Sequence, residues 1–124
     1  MNNKKIMVTF VISKALYLDF DKKIAEKNIK GQTQDKKFKK LNRTSVISKL
    51  LIKFLDGKIS LINYNLPANE EKTNSGILLP IELWVQLRNY LINQKINTIK
   101  ISGGLGGIIT NLVKQYIERE ICLP

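Results

Sequence analysis

The strongest constraint on this 124-residue chain is that its two halves carry the same order of apolar patterns. The first half opens on Val8-Thr9-Phe10-Val11-Ile12, a β-branched and aromatic run of strand character. Ser13 follows as an N-cap. Leu16, Phe20 and Ile24 recur at four-residue spacing and predict one stripe of a helix reaching about Lys27. A basic loop containing Gly31 comes next, then a polar helix start, Asn42-Arg43-Thr44-Ser45. Val46, Ile47, Leu50, Leu51, Phe54 and Leu55 form an apolar face of helical period, and Gly57 ends it in the manner of a C′ residue. The second half begins with a strand candidate, Ser75-Gly76-Ile77-Leu78-Leu79, with Pro80 at the expected first helical position. Leu83, Leu87 and Leu91 repeat the stripe with Trp84 beside it. A loop with Ser102-Gly103-Gly104 leads to Ile108, Ile109, Leu112, Val113, Tyr116 and Ile117.

Simple offsets relate the halves. Adding 67 takes Phe10 to Ile77, Ile12 to Leu79, Leu16 to Leu83, Tyr17 to Trp84, Phe20 to Leu87 and Ile24 to Leu91. Adding 62 takes Val46 to Ile108, Ile47 to Ile109, Leu50 to Leu112, Leu51 to Val113 and Phe54 to Tyr116. The chain therefore reads as an internal repeat of about 50 residues, with units at 1–57 and 75–124 and a polar linker at 58–74 that contains Pro67. A unit of that size cannot bury enough apolar surface alone. The aromatic side chains Tyr17, Phe20, Phe54, Trp84 and Tyr116 sit on the apolar stripes and read as core. For Tyr64 and residues 59–62, packing on the body and extending a strand both remain open.

Charge narrows the range of partners. Lys and Arg number 21 against 10 Asp and Glu, a formal net charge of +11, and residues 1–57 carry +9 of it. A surplus of that size favours a polyanionic partner. The chain has no His and a single Cys, Cys122, which excludes a His-based triad, a Cys/His zinc cluster and an internal disulfide. No nucleophile motif, metal-ligand cluster or phosphate loop is visible, so the expectation is a protein that is not an enzyme and has no metal or cofactor. The apolar run at 6–18 is interrupted by Lys14 and is followed by no small-residue cleavage site. It is also too short for a span of roughly 20 residues. A soluble, cytoplasmic protein with no membrane partner is expected.

A short strand followed by two helices resembles the ribbon-helix-helix family of DNA-binding proteins, the Arc/MetJ/CopG-like group. The segment that carries the likeness best is Leu41-Asn42-Arg43-Thr44-Ser45-Val46-Ile47-Ser48-Lys49-Leu50-Leu51: an apolar residue, a polar cap, short polar residues, then paired apolars. Residues 5–57 match the pattern well and 75–121 more weakly. The resemblance implies a mainly α fold with a short antiparallel β-ribbon, built by two interlocked units. Both units lie on one chain, so an intramolecular pseudo-dimer is expected, β-α-α-linker-β-α-α, similar to the tandem arrangement of the conjugation accessory protein TraY.

In that family the ribbon enters the DNA major groove, and strand alternation puts one set of side chains on the helices and the other on the bases. The core phase would be Val8, Phe10 and Ile12 with Ser75, Ile77 and Leu79. The resemblance then implies base contacts from Lys5, Met7, Thr9 and Val11 in the first strand and from Lys72, Asn74, Gly76 and Leu78 in the second. Groove-facing positions in the family are usually polar or basic, whereas Val11 and Leu78 are apolar and Gly76 has no side chain. Phosphate contacts would come from Asn42, Arg43 and Thr44 at the second-helix start, from the preceding lysines Lys36, Lys37, Lys39 and Lys40, and from Ser102, Gly103 and Gly104 in the second half. The implied partner is double-stranded DNA, with self-association of pseudo-dimers on it. The implied role is a transcriptional regulator or a plasmid or viral DNA-organising protein, with a relaxosome or partition accessory role as the variant. From another class, a protein-interaction or assembly module with charge-driven nucleic-acid binding fits the same composition.

Overall fold

A computed structural model describes residues 4–34, 40–62, 70–96 and 104–119. The element order is β1 (Lys5–Ser13), α1 (Lys14–Gln34), α2 (Arg43–Leu55), β2 (Lys72–Pro80), α3 (Ile81–Ile96) and α4 (Gly104–Glu118). The molecule is mainly helical, with one two-stranded antiparallel sheet made by β1 and β2.

The register of that sheet follows the repeat. Thr9 faces Gly76, which is the residue the 67-residue offset assigns to it, and the pairing runs outward from there to Lys5 opposite Pro80 and Ser13 opposite Lys72. One further hydrogen bond closes each end: the Lys14 N–H donates to the Glu71 carbonyl at 2.9 Å, and the Ile81 N–H donates to the Lys4 carbonyl at 3.1 Å. Lys14 and Ile81 are repeat mates, as are Lys4 and Glu71, so the ribbon has a twofold axis through the Thr9–Gly76 pair.

Strand alternation separates two faces. Val8, Phe10, Ile12, Ile77 and Leu79 are buried beneath the ribbon. They join one continuous core with Tyr17, Phe20 and Ile24 of α1, the expected face of α2, Leu83 and Leu87 of α3, and Ile108, Ile109, Leu112, Val113 and Tyr116 of α4. The interlock is reciprocal: α2 packs under β2, α4 packs under β1, and α2 and α4 touch each other. Each half thus covers the other's strand.

Local signals explain the ends of the elements. Ser13 Oγ accepts from the Leu16 N–H at 3.2 Å and caps α1. Asn42 caps α2 through a reciprocal box with Ser45: the Ser45 N–H donates to Asn42 Oδ1 at 2.8 Å and the Asn42 N–H donates to Ser45 Oγ at 3.0 Å. After α2 the chain reverses at Gly57, whose φ of 77° is open to glycine without a Cβ penalty.

Several boundaries differ from expectation. Helix α1 does not stop near Lys27 but continues to Gln34, so Lys27, Lys30 and Gly31 are helical rather than part of a basic loop. The ammonium of Lys27 lies 4.4 Å from the Tyr116 ring centroid, at the rim of the core. The buried Asn28 then binds the chain as it returns: its Nδ2 donates to the Leu41 carbonyl at 2.9 Å and its Oδ1 accepts from the Leu41 N–H at 2.7 Å. Pro80 ends β2 rather than starting α3, since its missing N–H costs nothing at the end of an edge strand. Residues 72–74, assigned to the linker by polarity, belong to β2 because the ladder extends to Lys72.

Residues 59–62, left open by the sequence, pack on the body: Ile59 and Leu61 lie against the core. The side chain of Asn111 donates to the Ile62 carbonyl at 2.6 Å and accepts from its N–H at 3.1 Å. Gln115 Nε2 donates to the Ser60 carbonyl at 2.8 Å.

One buried group is left over. Among the described residues the Tyr116 hydroxyl has no hydrogen-bond partner, and its burial raises its pKa above the ordinary tyrosine value. A buried neutral phenol contributes stability that is fully present below about pH 10 and is lost as pH rises through the folded-state pKa. Tyr116→Phe is therefore expected to leave stability unchanged or raise it by about 1 kcal/mol at pH 7, and to remove part of the loss above about pH 10. Paired melts at neutral and alkaline pH test this; a fall of several kcal/mol at neutral pH would mean that the hydroxyl has a partner.

Candidate nucleic-acid interface

The second face of the ribbon has nothing packed on it among the described residues. Lys5, Met7, Thr9 and Val11 of β1 and Lys72, Asn74, Gly76 and Leu78 of β2 are all exposed and alternate with the buried set. All eight residues singled out for base contact lie on this one surface. Across the ladder Met7 lies opposite Leu78, Thr9 opposite Gly76 and Val11 opposite Asn74. Three of them are large apolar side chains held in solvent: Met7 at 58%, Val11 at 51% and Leu78 at 44% exposure. Met7 and Leu78 face each other across the ladder, so two of the three are neighbours on this surface.

A helix start flanks the ribbon on each side. The first turn of α2 meets the end of the ribbon that carries Lys5, and the two enclose an open recess of about 560 Å³. Lys5, Leu78 and Pro80 line it from the ribbon, and Asn42, Arg43, Thr44, Ser45 and Ser48 line it from α2. The cap takes the Ser45 N–H and hydroxyl, so the recess combines the N–H groups of Arg43 and Thr44, which lack intrahelical acceptors, with the Thr44 and Ser48 hydroxyls and one ammonium. Near the other end, the start of α4 lies beside Val11, the repeat mate of Leu78. A Cβ on Gly106 would stand 3.6 Å from Phe10 Cβ and 3.8 Å from the Val11 nitrogen, an ordinary contact distance. Gly104 is the first residue of α4, so the Gly104–Gly107 run forms the helix's opening turn rather than a loop.

Arg43 differs most from its expected role. Its guanidinium binds Asp21 of α1 in two-pronged fashion, Nε to Oδ1 at 2.7 Å and a terminal nitrogen to Oδ2. It also stacks on the Tyr17 ring, 4.0 Å from the centroid. Tyr17 in turn shares a 2.7 Å hydrogen bond with Ser75 of β2. Hydrogen bonding to Asp21 is the main cause that raises the Arg43 pKa above its ordinary value. The side chain expected to be offered to a phosphate thus ties α2 to α1 and, through Tyr17, to the ribbon. Lys40 is exposed just before the cap, while Lys36, Lys37, Lys39, Ser102 and Gly103 lie outside the described residues.

Ser45, Ser48 and Pro80 line the recess, though the sequence reading assigned none of them a DNA contact. The spacing of Asn42 and Ser45 was a readable cap signal, and Ser48 follows Thr44 and Ser45 on the same helical face. Nothing local announces that Asp21 meets Arg43, 22 residues away.

Among the described residues no helix is long and apolar enough to cross a membrane, and no group of three or more His, Cys, Asp or Glu side chains is gathered to hold a metal. No family model, curated protein or solved structure matches the chain.

Asp21→Ala removes the carboxylate that holds Arg43. Because the pair is partly exposed, the expected loss of stability is about 1 kcal/mol, visible in a thermal or urea melt. An unchanged midpoint would remove Arg43–Asp21 from the contacts that join α1 to α2.

Proposed function

We propose that this chain is a non-enzymatic, sequence-specific binder of double-stranded DNA, built as a single-chain ribbon-helix-helix pseudo-dimer. The observation that supports the reading best is the pairing of β1 with β2 about Thr9–Gly76. It presents Lys5, Met7, Thr9, Val11, Lys72, Asn74, Gly76 and Leu78 on one exposed surface, with a helix start on either side. A two-stranded ribbon fits the major groove, about 12 Å wide, where every base pair shows a distinct set of donors, acceptors and methyls. In this reading Thr9 hydrogen-bonds a base edge at the centre of the site. Lys5 and Lys72 reach guanine or phosphate at its ends. The opening turns of α2 and α4 hold the flanking phosphates through backbone N–H groups, which fix register without reading sequence. With Arg43's guanidinium held by Asp21 and Ser45 engaged in the cap, the phosphate role at α2 rests on the N–H groups of Arg43 and Thr44, on the Thr44 and Ser48 hydroxyls, and on Lys40. The net charge of +11 supplies the attraction. A regulator of transcription, or a protein that organises plasmid or viral DNA, is the role in keeping with such a binder.

The apolar side chains on the outer face favour one competing reading, a protein-interaction module whose nucleic-acid binding is driven by charge alone. The two separate in a binding series against duplexes of different sequence. The DNA reading expects a preferred site, and equal affinity for all sequences would favour the module. If 5–8 phosphates are contacted, log affinity should fall against log salt with a slope of about −5 to −7. A slope near −1 would remove the lysine-rich stretch before α2 from the mechanism. Thr9→Ala is expected to weaken binding to the preferred duplex about tenfold while leaving the melting temperature unchanged, since Thr9 is exposed.

A further inference from the structure

The ribbon backbone is twofold, but the surface it presents is not. The repeat offset pairs Lys5 with Lys72, Met7 with Asn74, Thr9 with Gly76 and Val11 with Leu78. A half-turn about the Thr9–Gly76 axis therefore puts a carboxamide where a thioether was. The cross-strand register collects the difference at the two ends. Toward Lys5, Met7 lies directly opposite Leu78, and both are exposed apolar side chains. Met7 also leans across the strand toward the axis: a Cβ on Gly76 would come within 2.9 Å of its sulfur, so the glycine leaves the space that the thioether fills. Toward Lys72, Asn74 lies opposite Val11, which places an amide with both donor and acceptor on that end.

We infer that the two ends of the ribbon read different chemistry, so that the DNA target is not palindromic and the protein binds it in one orientation. The inference rests on the DNA-binding reading above and deepens it. The major-groove edges of the bases offer one apolar group, the thymine C5 methyl. The Met7–Leu78 end is matched to it and has no hydrogen-bonding group of its own short of Lys5. The Asn74 end is matched to adenine, whose N7 and N6 can pair with a carboxamide in two places. The lysines at the two ends of the same surface supply the charge complementarity that makes DNA the occupant rather than an apolar partner.

The test uses the intact wild-type chain and duplexes enriched from a randomised double-stranded library. The expected motif has unlike halves. Replacing thymine by deoxyuridine, which removes only the methyl, should weaken binding about fourfold per contacted methyl in one half. The same replacement in the other half, where Val11 has no second apolar side chain opposite it, should have the smaller effect, and equal effects in both halves would overturn the inference. Met7→Ala should reduce the uridine effect, with the remainder coming from Leu78, whereas Asn74→Ala should keep it in full and relax base preference in the opposite half. Both side chains are exposed, so both variants should melt with the wild type. A palindromic motif, or an enriched site indifferent to uridine in either half, would overturn this inference and leave DNA binding intact. Dimerisation of the free protein that Met7→Lys abolishes would overturn it by giving the face to a second copy. Failure to enrich or bind any duplex would overturn the DNA-binding reading itself.

Discussion

The backbone ladder between β1 and β2 is the contact on which the rest of the molecule depends. A two-stranded ribbon is marginal in water, because it buries one face only if something is packed beneath it. Here that something is supplied crosswise. Helix α2 lies under the strand of the second half and α4 under the strand of the first, and the two helices meet in the middle. Neither half has a core of its own to keep. Pairing the strands, closing the core and setting the exposed face are therefore one event. The hydrogen bonds from Lys14 and Ile81 that extend the ladder show how far the pairing reaches, up to the first residue of each following helix.

The repeat is followed closely in the apolar layer and abandoned in the polar one. Val46, Ile47, Leu50 and Leu51 and their mates in α4 are all buried, since a shared core needs matching volumes from both sides. The buried polar groups have no such mates. Asn111 and Gln115 of α4 hold the backbone of residues 60–62, where the corresponding positions of α2 carry Lys49 and Lys53. Asn28 holds Leu41 in the first half, and the repeat offset puts Lys95 at its position in the second. Asn111 and Gln115 satisfy backbone groups of the one segment that joins the two halves, so only one copy of them is needed. The polar asymmetry follows from the chain being covalently continuous.

Asymmetry also marks the outer face, and there it has a chemical consequence rather than a topological one. Burial does not constrain exposed positions, so each half is free to carry its own residues on a common backbone. Arg43 shows the opposite case. Its position at the first turn of α2 suits an anion, yet a carboxylate and an aromatic face within the same molecule occupy the guanidinium. Its main work is to connect α2, α1 and the Tyr17–Ser75 contact with the ribbon.

Much of the architecture was legible in the residues themselves. The alternation at Val8, Phe10 and Ile12, the four-residue stripes at Leu16, Phe20 and Ile24, and the cap at Asn42 are local signals. They determined the order of elements, the buried face of each one and the separation of the ribbon's two sides. The offsets between halves were legible as well, but not which pair of repeat mates stands at the centre of the ribbon; the ladder fixes that at Thr9 and Gly76. What remained was set by contacts between residues far apart in the chain. Polarity marked residues 72–74 and 59–62 as linker, but a ladder partner drew the former into β2 and an amide of α4 drew the latter onto the body. The glycines at 104, 106 and 107 looked like a turn, yet the packing of α4 on β1 made them helical. The partner of Arg43 was likewise undecided until α1 and α2 were brought together. Periodicity reports which side of an element avoids water; which distant group then meets a given side chain is decided only when the elements share one core.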